Sequence, residues 1–114
     1  MAVSLSERSV GEVTILRPSG RIDSQSSPEF ETALKVKLDA SKNVILDLGD
    51  VPYISSAGLR VVLVAAKQVA RGQGRFALAA LKPEIMSVFK VSGLTSVLKI
   101  FDTADGALAS FGAS

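Results

Sequence analysis

Asn43-Val44-Ile45-Leu46-Asp47-Leu48 runs into Gly49-Asp50-Val51-Pro52-Tyr53-Ile54 and then into Ser55-Ser56-Ala57-Gly58-Leu59-Arg60. The first six residues are a nearly continuous β-branched and aliphatic run bounded by Ser41 and Gly49, the pattern of a strand covered on both faces. This strand is expected at the centre of a sheet. Asp47, at its exit, is expected to satisfy its carboxylate on neighbouring backbone N–H groups. From Ser56 to Arg71, Leu59, Val62, Leu63, Ala66, Val69 and Ala70 recur at helical spacing, and Gly72 marks the end. A serine at the mouth of such a helix is a natural cap, since its oxygen accepts from a backbone N–H one turn in; Ser55 and Ser56 both qualify. Gly58 in the first turn implies a close approach by backbone or partner.

Working outward, Val3 and Leu5 and then Val13 and Ile15 alternate with polar neighbours across Gly11. This pattern predicts an opening β-hairpin with one buried face per strand. Pro18-Ser19-Gly20 breaks the pattern, Arg21-Ile22-Asp23 reads as a third short strand, and Ser24-Gln25-Ser26-Ser27 as a loop. A helix then starts at Ser26 with Glu29 in a capping box, or at Ser27 with Pro28 in the first turn, and presents Phe30, Ala33, Leu34 and Leu38. Downstream, Phe76, Leu78 and Ala80 form a strand. Pro83 opens a short helix through Ile85, Met86, Val88 and Phe89 that stops near Gly93, and Val97 to Phe101 is a last strand. Asp102 or Thr103 caps a final helix with Ala104, Ala107, Leu108 and Phe111 on its apolar side. This order predicts one α/β domain over residues 1–114, a sandwich with a mixed β-sheet, an opening β-hairpin and about four packed α-helices.

Composition removes whole classes of function. The chain has no Cys and no His, which excludes thiolate and imidazole catalysis and the usual zinc ligand sets. The N-terminus carries neither a basic start nor an apolar run of signal type, so a cytoplasmic location is expected. Val61 to Ala66, the densest apolar stretch, is closed by Arg60 and Lys67, far short of the roughly 20 residues that span a bilayer. With 13 basic against 11 acidic residues, scattered along the chain, nucleic acid is not an expected partner. No glycine-rich phosphate loop of the Walker type is present, so no nucleotide or other cofactor is assigned to this chain.

The loop that leaves the central strand resembles that of the anti-sigma-factor-antagonist family of STAS domains. In that family a strand ends in aspartate-leucine, and after a loop aspartate-serine-serine-glycine-leucine starts a helix. Asp47-Leu48 and Ser55-Ser56-Ala57-Gly58-Leu59 match this pattern, with Ser55 in place of the usual aspartate and Ala57 where serine or threonine is frequent. Gly20-Arg21-Ile22-Asp23 is similar to the family's glycine, hydrophobic and aspartate segment before its first helix.

The resemblance implies a STAS-like fold and a binding switch in place of an enzyme. Ser56 falls on the family's phosphorylated serine, with Ser55 as a competing acceptor, and Asp23, Ser24, Tyr53, Ile54, Ser55, Ala57, Gly58 and Leu59 fall on the partner-binding surface. The implied partners are an ATP-binding anti-sigma-factor serine kinase, held by the unphosphorylated form, and a serine phosphatase that restores binding. A weak homodimer stays open. A serine hydrolase is the enzymatic rival, but Ile54 stands where a nucleophile elbow needs glycine and no His can take the proton. A non-switching scaffold or transporter-associated STAS domain, with Ser56 only a helix cap, is the other alternative. Tyr53 and Ile54 serve equally well as plugs of the core beneath the loop.

Overall fold

In the computed structural model, which describes residues 3–112, the chain alternates strand and helix after an opening hairpin. The elements are β1 (Ser4–Val10), β2 (Val13–Ser19), α1 (Ser27–Asp39), β3 (Asn43–Asp47), α2 (Ser56–Arg71), β4 (Arg75–Ala79), α3 (Pro83–Val91), β5 (Lys99–Phe101) and α4 (Ala104–Ser110), with a 3-10 turn at Leu94–Ser96. The five strands lie side by side in chain order; β1 and β2 are antiparallel and every later pairing is parallel. The sheet is therefore mixed, and β3 sits at its centre, as the apolar run demands.

Side-chain alternation sorts the core into two layers. Val44 and Leu46 of β3 join Leu16, Leu78, Phe30, Leu34, Val62 and Phe89, so α1, α2 and α3 cover one face. Ile45 joins Val13, Ile15, Ala77, Ala79, Ala107 and Leu108, so α4 covers part of the other. Alanines at 77 and 79 let that short helix lie close to the strands.

Several expectations are corrected. β2 has both faces buried over Val13 to Leu16, because it lies second in the sheet between β1 and β3; only the edge strand β1 is largely open. Arg21-Ile22-Asp23 is no strand, and only a single parallel bridge joins Ile22 to Ile54. Gly20, at φ +118°, swings the chain off the sheet just before it. α1 starts at Ser27 with Pro28 in its first turn, but the Ser26 hydroxyl makes no cap. On α2 the buried side is Gly58, Val61, Val62, Ala65 and Val69, while Leu63 and Ala66 are half-buried and Ala70 is exposed. Arg60, Lys67 and Arg71 mark a polar stripe on this helix and apolar residues fill the wide remainder, so spacing sets its period and tertiary packing decides which apolar residues are most deeply buried. β4 stops at Ala79, because Ala80 is at φ +61°. β5 begins at Lys99 because Val97 closes the 3-10 turn on the Leu94 carbonyl. Thr103, not Asp102, caps α4 by accepting from the Gly106 N–H at 3.0 Å.

The tightest backbone approach joins the α1–β3 and α2–β4 connections. A Cβ on Gly74 would stand 1.8 Å from the Lys42 carbonyl oxygen. Gly74→Ala is expected to destabilise the domain by about 3 kcal/mol, with the backbone forced apart, as urea denaturation would measure.

Candidate functional site

The loop after β3 is laced to the segment after β2. The Gly20 N–H donates to the Asp50 carbonyl (3.2 Å), Ile22 N–H to Tyr53 (2.9 Å) and Ser55 N–H to Ile22 (2.8 Å). These bonds continue the parallel sheet direction past the last residues of β2 and β3, with bridges at Ser19 to Asp50 and Ile22 to Ile54. The buried side chains of Ile22 and Ile54 then form a floor under the first turn of α2. Gly58 sits on that floor: a Cβ there would meet both isoleucines at 2.7 Å. The local crowding implied by glycine in a first turn is real. The floor delivers the two serines to the surface beside the Asp23 loop.

The serines divide two tasks. Ser55 is the N-cap of α2, in extended conformation, and its hydroxyl accepts from the Gly58 N–H at 3.3 Å. Ser56 is the first helical residue and is exposed. Its hydroxyl is outside the cap, on the open end of a helix whose first turn holds no acidic residue. The positive end of the helix dipole and the free amides of that turn favour an anion there.

Asp23 is built into its own loop. Its Oδ1 accepts from the amides of Gln25 (3.0 Å) and Ser26 (2.9 Å). The buried Ser26 hydroxyl accepts from the Asp23 N–H (2.9 Å) and is 2.8 Å from the Arg21 carbonyl, which it reaches as donor. The Asp23 carboxyl is held below the usual range, first by the Ser26 amide, with further help from the Ser26 hydroxyl, the Gln25 amide and the Arg21 charge, against partial desolvation. Ser24 lies exposed on the same loop.

On the opposite side of the β3 exit, buried Asp47 accepts from the Gly49 N–H at 2.9 Å, which is the structural role expected of it. Arg17 and Asp50 form a two-pronged exposed pair at 2.9 and 3.2 Å. Among the described residues no group of three or more acidic side chains could hold a metal ion.

Not every expected surface residue is at the surface. Ile54, expected at the partner-binding surface, is only 3% exposed and belongs to the floor, and Gly58, expected there too, is buried where it rests on that floor. Tyr53 is 41% exposed, not a core plug, while Ala57 and Leu59 are half-buried and Pro52 is exposed. One member went unread in the sequence: the Arg21 guanidinium carbon lies 4.4 Å from the centre of the Tyr53 ring, a cation–π stack beside the two serines. An arginine in a polar stretch reads as a solvated charge until the bridge between Ile22 and Ile54 sets residues 21 and 53 side by side.

Comparison with known proteins decides the family. The family profile described as "STAS domain" matches residues 5–107. The chain is a STAS domain of the anti-sigma factor antagonist family. It is 41% identical over 93 residues to a Bordetella bronchiseptica protein provisionally named anti-sigma factor antagonist BtrV, covering 81% of this chain and 80% of that protein. It is also 28% identical over 102 residues to the anti-sigma-B factor antagonist of Listeria monocytogenes, covering 88% of each chain. A crystal structure of a Thermotoga maritima protein given the same family name superimposes with a TM-score of 0.88 at 25% identity, over 93% of this chain and 92% of the other. The mixed sheet and the helices on both faces are the STAS fold, and the family is regulatory. No helix among the described residues is long and apolar enough to cross a membrane.

The division of labour at the head of α2 in this STAS domain is testable by stability alone. Ser55→Ala should lose about 1 kcal/mol with the cap, and Gly58→Ala about 1 to 3 kcal/mol through overpacking, whereas Ser56→Ala should stay within about 0.5 kcal/mol of the parent in urea titrations. Acid sensitivity provides a second check. A carboxyl whose native pKa is depressed stabilises the fold above the ordinary range, and that contribution is lost as pH falls below about 4, through the native pKa. Asp23→Asn should therefore lose less stability than the parent between about pH 5 and about pH 3, read by denaturation at each pH.

Proposed function

We propose that this STAS domain is a phosphorylation-switched anti-sigma-factor antagonist, with Ser56 as the acceptor and the surface around Asp23, Ser24, Tyr53, Ser55, Ala57 and Leu59 as the docking face. The reading rests above all on the division between the two serines: Ser55 caps α2, which leaves the exposed Ser56 hydroxyl free of that duty. The names borne by the Bordetella and Listeria relatives support the antagonist role. The partner is an ATP-binding serine kinase with anti-sigma activity, which binds the unmodified domain in the cytoplasm and transfers a phosphoryl group to Ser56. A serine phosphatase reverses the step. The domain itself carries no catalytic residue.

The switch follows from charge and solvation. A phosphoserine adds about −1.5 to −2 charges at neutral pH, and the head of a helix tolerates this anion without disturbing the core. Docking brings the half-exposed ring of Tyr53 and the apolar edges of Pro52, Ala57 and Leu59 out of water. A dianion trapped in that contact must shed its hydration shell, so the complex weakens while the domain stays folded.

Ser56→Ala should retain the partner yet resist phosphorylation, and Ser56→Asp should release the partner while its thermal midpoint stays within about 2 °C of the parent. Pull-down with the partner kinase, followed by phosphosite mapping by mass spectrometry, reads both effects. Equal capture by the two variants, or a phosphate mapped to Ser55, would overturn the assignment.

A further inference from the structure

Among the described residues neither Arg21 nor Arg60, exposed arginines on the two segments that form this site, is in an ion pair, and of the two only Arg21 stacks on an aromatic ring. Among the described residues the ion pairs within 4.0 Å are Arg17 with Asp50 and Lys37 with Glu7. Arg21 instead stacks on Tyr53, with its guanidinium 4.4 Å from the ring centre. At an exposed site such a stack is a weak restraint, easily exchanged for a stronger partner. A guanidinium and a phosphate make that stronger partnership, because two parallel N–H groups can donate to two phosphate oxygens in a charge-assisted pair.

Register sets Arg21 beside the segment that leads into α2. Ile22 bridges Ile54 in parallel, so Arg21 lies opposite Tyr53, and Asp23 lies opposite Ser55. Ile22 and Ile54 point inward, and alternation along an extended segment therefore turns Arg21 and Tyr53 outward, on the side where the chain emerges at Ser55 and Ser56. The Arg21 charge also bears on the Asp23 carboxyl, which is the residue beside the serines on this loop. Asp23, in turn, is occupied by the amides of Gln25 and Ser26 and does not hold Arg21 in a salt bridge. The arginine is thus anchored at its backbone by the seam, since the buried Ser26 hydroxyl donates to its carbonyl, while its exposed head is stacked on the Tyr53 ring.

We propose that Arg21 is the phosphate reader of this domain: a phosphate on Ser56 draws the guanidinium off the Tyr53 ring and pairs with it. This rests on the assignment of Ser56 as the acceptor site and adds to it a mechanism. Modification then changes the docking face twice, by adding a dianion and by uncovering the ring of Tyr53 while withdrawing the cation that lay on it. Arg21 acts as a positioning residue that rearranges the surface and takes no part in the transfer itself.

The test uses the full chain with phosphoserine installed at position 56 during translation, so no kinase is needed, with Arg21 intact or as Arg21→Gln. Phosphorus NMR titration should place the second ionisation of the phosphate about half a pH unit lower with Arg21 than in Arg21→Gln, and the gap should shrink as salt rises. Proton NMR should show the Arg21 side-chain protons shifted upfield by the Tyr53 ring in the unmodified protein and losing that shift when position 56 carries phosphate. Arg21→Lys should restore the titration shift only in part, because an ammonium cannot make the two-pronged pair. Superimposable phosphate titrations with and without Arg21, or an upfield shift that survives phosphorylation, would overturn the proposal. Failure of a partner kinase to modify Ser56 would instead strike the acceptor assignment and leave this titration unaffected.

Discussion

The first turn of α2 reaches its position only because Gly58 presents no side chain to Ile22 and Ile54, each of which has a carbon 2.7 Å from where a Cβ would stand. Any larger residue lifts the helix from that floor. The floor in turn exists because the chain after β2 and the chain after β3 continue side by side beyond the sheet, held by three backbone hydrogen bonds of 2.8 to 3.2 Å. One close contact therefore ties together the sheet, the Asp23 loop and the head of α2.

The same constraint explains why two adjacent serines have different chemistry. Ser55 still belongs to the extended segment, its N–H donating to Ile22, and from there its hydroxyl can turn back to cap Gly58. Ser56 already has helical geometry and stands at the surface. Its neighbours supply an aromatic ring, a cation and a carboxylate, and the carboxylate is satisfied within its own loop. A surface of this kind can change its charge without unfolding, since each group that anchors the floor is apolar or backbone.

The body of the domain isolates that surface from the core. Val44, Ile45 and Leu46 are wholly buried between helices on both faces of the sheet, so the strand that leads to the site is rigidly placed. Asp47 ends the strand with its carboxylate folded back on the Gly49 amide, which turns the chain into the loop. The exposed Arg17 and Asp50 pair contributes little to stability by comparison.

Periodicity disclosed the central strand, the α2 helix and the opening hairpin, and with the proline, glycine and cap signals it gave the order of the remaining elements apart from the strand expected at Arg21-Ile22-Asp23, because burial of apolar side chains imposes a repeat of two or of 3.6 residues wherever an element meets the core. The match of Ser55 to Leu59 and Gly20 to Asp23 to a known family pointed to the two segments that form the site. Only the tertiary structure decided that Gly58, Val61 and Ala65 join Val62 and Val69 on the buried side of α2 ahead of Leu63, Ala66 and Ala70, because the elements packed against the wide apolar face set its rotation. It also assigned the cap to Ser55, committed Asp23 to its own turn, sank Ile54 into the floor and set Arg21 on Tyr53. The cap and the Asp23 turn are local bonds for which adjacent serines and acids compete, so geometry and not residue type selects among them. The burial of Ile54 and the stack of Arg21 on Tyr53 depend on pairing residues 32 positions apart, Ile22 with Ile54 and Arg21 with Tyr53, and a local pattern carries no record of which distant segment will lie beside it.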